Sequence, residues 1–103
     1  MIRFRRRFGD VIARQLALFE RDHADLIAAC VAARRRYDAA DRDEAEEHYG
    51  EYLDLVAEGT AALADRRNHY AAAMDRAAAE HYTAEFNRAV KRRLAPFALE
   101  LDE

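Results

Sequence analysis

The chain is 103 residues long, 36% of them charged, with a net charge of −3, three glycines, one proline and one cysteine. A single cysteine excludes an internal disulfide and a multi-cysteine metal site, and the charge gives no overall drive towards nucleic acid or an anionic membrane. No apolar run approaches the ~18 residues that a membrane helix needs, and the arginine-rich start lacks the apolar core of a signal peptide, so the expected setting is cytoplasmic, with no membrane.

Hydrophobic residues make up 51% of the chain, nearly half of them alanine, so the composition reads as one all-α domain over 1–103 with a modest core. Residues 1–9 form a basic segment carrying Arg3, Arg5, Arg6 and Arg7. Phe4, Phe8 and Ile12 are four apart, which extends a helix backwards. Gly9 followed by Asp10 instead suggests a break and a cap, with regular helix from Asp10.

From there to about residue 38 the apolar positions run Ile12, Leu16, Phe19, His23, Leu26, Cys30, Ala33 and Tyr37. Steps of four and three alternate, the period of a helix face packed in a bundle. Arg34, Arg35 and Arg36 close this helix, where cations favour the negative end of its dipole.

Asp38–Asp43 is the one plausible connection, with Asp41 or Asp43 as the next N-cap. A long helix over about 42–94 follows, its stripe running through Ala45, Tyr49, Leu53, Val56, Thr60, Leu63, Arg67, Tyr70 and Met74. The two matching stripes predict an antiparallel helical hairpin.

After Ala77 the stripe slips in phase and continues through Tyr82, Phe86, Val90, Leu94 and Phe97. Either the helix is unbroken and its stripe rotates, or it bends near 74–76 into a third helix capped by Asp75. An unbroken helix of about 78 Å would overhang the first, of about 40 Å, by roughly half its length. Its overhanging aromatic stripe should not face water. With no glycine or proline to mark a bend, the expectation is that a second copy covers Tyr82, Phe86, Val90, Leu94 and Phe97, completing a bundle by self-association. Pro96 ends the helical region and an acidic tail over 96–103 follows.

Three polar residues fall on the apolar stripes: His23, Thr60 and Arg67. A buried guanidinium must be paired, and Asp10 or Gln15 is the expected partner of Arg67. Thr60 or Glu58 is the expected partner of His23 across the hairpin. Glu20 and His23 also form a Glu-x-x-His pair, similar to the spacing found inside ferritin-like di-iron bundles. That resemblance implies iron or another divalent metal, held by Glu20, His23 and Glu58. Glu44, Glu47, His48 and Glu51 share a second face, which reads as a solvated acidic surface.

Charge is segmented along the chain. Residues 41–58 hold eight acids against Arg42 alone, and Arg88, Lys91, Arg92 and Arg93 are basic. The basic ends suggest weak phosphate binding, but the net negative charge opposes it. The leading expectation is a non-enzymatic, self-associating helical interaction, scaffold or cargo-like protein without a cofactor. A ferritin-like metal-binding protein is the alternative, and a weak nucleic-acid binder the second alternative.

Overall fold

The computed structural model describes residues 2–98 and Leu101, with side chains from Phe8 onward; the arginines of 1–7 and the acids of the tail lie outside the described side chains. The described residues are helical almost throughout, in the order α1 (Ile2–Asp22), α2 (Ala24–Ala39), α3 (Arg42–Ala71), α4 (Arg76–Arg93) and a 3-10 turn (Ala95–Ala98). No strand occurs among them, and no helix is long and apolar enough to cross a membrane.

Helix α1 passes through Gly9 without a break, so the helix starts earlier than Asp10. A Cβ at Gly9 would meet nothing within 4 Å, so the glycine costs helix propensity and no packing. The break falls instead at His23, with φ −118° and ψ 30°. Hydrogen bonds continue on both sides of it, from His23 N–H to the Phe19 carbonyl and from Ile27 N–H to the His23 carbonyl. It is therefore a kink between two helices on one course, and the His23 ring lies stacked on Phe19 at 4.7 Å.

Two extended residues, Ala40 and Asp41, turn the chain into α3. Contacts between the two sides pair Arg36 with Glu51, Arg34 with Tyr52, Asp22 with Arg66 and Gln15 with Tyr70. As one residue number falls the other rises equally, so α1 and α2 run antiparallel to α3. This register sets His23 opposite the region of Leu63, nearly a turn beyond Thr60. It sets Arg67 opposite residues near Phe19, well away from Asp10.

Helix α3 ends at Ala71, and residues 72–75 reverse the chain, with Asp75 Oδ1 accepting from Ala78 N–H at 2.9 Å to cap α4. The expectation of a second copy over the aromatic stripe is corrected here. Tyr82, Phe86 and Val90 are 0% exposed within the single chain, and Leu94 and Phe97 are also buried. Burying five such side chains contributes on the order of 10 kcal/mol, against a few backbone bonds of about 1 kcal/mol each lost at a bend. The bend wins without glycine or proline because this burial outweighs the helix propensity of an alanine run in which Ala72 and Ala73 are exposed.

The core sits where α4 and the 3-10 turn fold over α1 and the second half of α3. Phe8, Ile12, Leu16 and Phe19 from α1 meet Leu63, Tyr82, Phe86, Val90 and Phe97 there. Beyond it, α2 and the first half of α3 continue as a two-helix arm, which makes the molecule 51 Å long and no more than 25 Å across.

Candidate functional site

The residues singled out for metal do not converge. Both carboxylate oxygens of Glu20 accept from Arg93, at 2.7 and 3.1 Å. His23 is half-buried against Phe19, and Glu58 is exposed on α3. Among the described residues no group of three His, Cys, Asp or Glu side chains could hold a metal ion. On the acidic face, His48 lies between Glu44 and Glu51 at 4.0 and 3.7 Å, its side chain largely shielded rather than fully in solvent.

Thr60 and Arg67 have a common use. Gly59 and Thr60 receive the 3-10 turn: the Phe97 ring lies so close to Gly59 that a Cβ there would overlap it, and Thr60 Oγ1 donates to the Phe97 carbonyl at 3.1 Å. Arg67 donates to the Leu101 carbonyl at 3.2 Å and to Asn87 Oδ1 at 2.9 Å, and Asn87 Nδ2 donates to the same carbonyl at 3.1 Å. These carbonyls follow Pro96, where no helix supplies donors, so side chains must. Asp10 and Gln15 are thus not the partners of Arg67. Gln15 instead donates to the Tyr70 hydroxyl at 2.9 Å and accepts from Arg66.

With the C-terminal segment pinned this way, its edge forms one wall of a groove. Ile27, Cys30 and Val31 of α2 and Tyr52 of α3 line it on the arm side, and Leu94 and Pro96 close its end. Arg34, Arg35 and Arg93 stand at its rim. The Arg34 guanidinium lies over the rings of Tyr52 and Tyr37, at 5.6 and 5.9 Å from their centroids. Burial, with the negative charge of Glu58 adding to it, pushes the Cys30 thiol up from its ordinary value, which keeps it protonated and unreactive at neutral pH.

The apolar surface extends from this groove along the arm. Tyr49 lies 6.3 Å from Tyr52 and 5.0 Å from Tyr37, ring to ring. Val31, Tyr49 and Leu53 are 47%, 41% and 39% exposed. The sequence places Tyr49 and Leu53 on the hairpin's inner stripe. In the structure Tyr52, Leu55 and Val56 point inward and the other two turn out. The signal that could have found this surface is the width of the apolar band in α3, which exceeds what one partner helix covers.

Comparison with protein-family models, with curated proteins and with solved structures returns no match to this chain.

Proposed function

We propose that this protein is a helical interaction module that associates with itself and works by contact rather than by chemistry. The observation that carries this reading is the uncovered apolar face of the arm. In the body of the molecule the paired helices α1 and α3 are covered by α4 and the 3-10 turn, and on the arm the same layer stops at Pro96. Exposed Val31, Tyr49 and Leu53 continue the core surface into solvent. Apolar patches of this kind, bordered by charge, are the common mark of protein contacts. The hairpin character of α2 and α3 and the completion of a bundle by a second copy are parts of the same proposal.

The test is sedimentation equilibrium of the full chain over a wide concentration range. The reading expects a mass that rises from monomer to a defined oligomer. A mass fixed at 11.8 kDa up to the highest concentration reached would overturn it.

A further inference from the structure

We infer that the arms are the interface, and that two copies pair about a two-fold axis with α2 of one against α3 of the other. The inference rests on the reading above and adds the surface, the partner and the orientation. The partner follows from charge. The outer half of α2 carries Arg34, Arg35 and Arg36 against Asp38, whereas residues 41–58 of α3 carry eight acids against Arg42.

Several of these charges are already used within the chain: Arg34 bonds Asp38 and Arg36 meets Glu51. Arg35 on α2 and Asp43 and Glu46 on α3 have no partner among the described residues. Asp43, Glu46, Gly50 and Leu53 follow one another at steps of three and four, so the unpaired acids border the exposed leucine on one helix face. Arg35 borders Val31 in the same way on α2.

Each arm therefore presents an apolar strip with a free cation along one edge and free anions along the other. A second copy laid face to face about a two-fold axis parallel to the arms is self-complementary to such a strip, because that axis lays each basic edge on the partner's acidic edge. A two-fold axis across the arms, which would run them in opposite directions, would set like charges together.

Size bounds the strength. Residues 27–39 of α2 rise about 20 Å, and two helices side by side are about 20 Å wide, which gives about 400 Å² a side. A stable interface of standard size buries about 800 Å² per partner, so this pairing is reversible and concentration-dependent.

The experiment compares wild type with Leu53→Glu, Arg35→Glu and Glu46→Lys, each checked for helicity, by sedimentation equilibrium. All three positions are exposed, so the fold is expected to survive. Leu53→Glu is expected to leave only monomer. Arg35→Glu and Glu46→Lys alone are each expected to weaken dimerisation at least tenfold, since the two-fold axis reverses both ion pairs at once. Mixed in equal amounts, these two variants should regain an affinity close to that of wild type, because each then supplies the charge that the other lacks.

A wild type that dimerises while all three variants dimerise equally well would overturn the arm interface and leave self-association standing elsewhere on the surface. Growth into open-ended chains would overturn the two-fold arrangement. A wild type that stays monomeric would sink both the interface and the reading it rests on.

Discussion

The two ends of this molecule are built from the same kind of helix and held together differently. All six of its largest fully buried side chains, Tyr82, Phe19, Phe86, Leu16, Leu63 and Val90, lie in the body formed by α1, α4 and the second half of α3. On the arm, the buried side chains are the smaller Cys30 and Ala33 of α2 and Val56 of α3, and around them the contact is partly buried aliphatics, tyrosine rings and ion pairs at the surface. A two-helix layer can bury only one face of each helix. The third layer is what turns an apolar stripe into a core, and it stops at Pro96. The arm is therefore where surface remains for a partner and where local opening costs least.

The largest expected difference comes from truncating one side chain in each region. Phe86→Ala opens a cavity among fully buried neighbours and is expected to lower stability by about 3–5 kcal/mol. Tyr37→Ala on the arm removes the ring contact with Tyr49 and the Arg34 guanidinium's contact from a half-buried site and is expected to lose about 1–2 kcal/mol. Urea denaturation of both variants measures this. Equal losses would mean that the arm contributes as much as the body, and the contrast between them would be wrong.

Tyr82 sharpens the contrast through pH. It is 0% exposed and its hydroxyl has no hydrogen-bond partner. Burial, with the nearby Tyr70 adding to it, pushes its pKa from 10.0 up to about 12. The folded state therefore holds the proton more tightly than the unfolded chain, so the contribution to stability is complete below pH 10 and is lost as pH rises towards 12. Over that window stability should fall by about 1.4 kcal/mol per pH unit, on the order of 3 kcal/mol in all. Tyr82→Phe removes an unpartnered hydroxyl, so it should be as stable as wild type or more so at neutral pH. Its alkaline unfolding curve should also lack this slope. An unchanged slope in the variant would assign the alkaline transition to other groups.

Much of this arrangement could be read from the residues, and the parts that could not have physical causes. Helical spacing with few glycines and one proline made the all-α reading secure. The reversal at 72–75 was marked only by Asp75, because the alanines before it favour a continuing helix and only the burial of α4 against the body overrides that preference. Thr60 and Arg67 stood out as polar residues on apolar stripes. Both reach backbone carbonyls beyond Pro96, Arg67 together with Asn87, and no pattern of side chains announces a carbonyl. Tyr49 and Leu53 were misplaced for a different reason. Tyr52 and Leu55 offer a second apolar stripe one step around the same helix, meeting the first at Val56, and periodicity alone does not say which of the two meets α2.

The smallest expected effect has opposite signs in the two regions. Gly59 and Gly50 both sit inside α3, where glycine costs about 0.5–1 kcal/mol relative to alanine. Gly50 is on the arm, and a Cβ there would meet nothing within 4 Å. Gly50→Ala should therefore raise stability by about that amount, measured by thermal unfolding at a dilution where the chain is monomeric. Gly59 is at the junction, where a Cβ would overlap the Phe97 ring, and Phe97 is only 2% exposed and cannot swing clear. Gly59→Ala gains the same helix propensity but must displace the ring, which overpacking penalties of about 1–3 kcal/mol outweigh. The expected outcome is a net loss, with weaker hydrogen-exchange protection around the Thr60 contact to the Phe97 carbonyl. Stabilisation at both positions would mean that the ring is held loosely, and that the 3-10 turn does not set the boundary between body and arm.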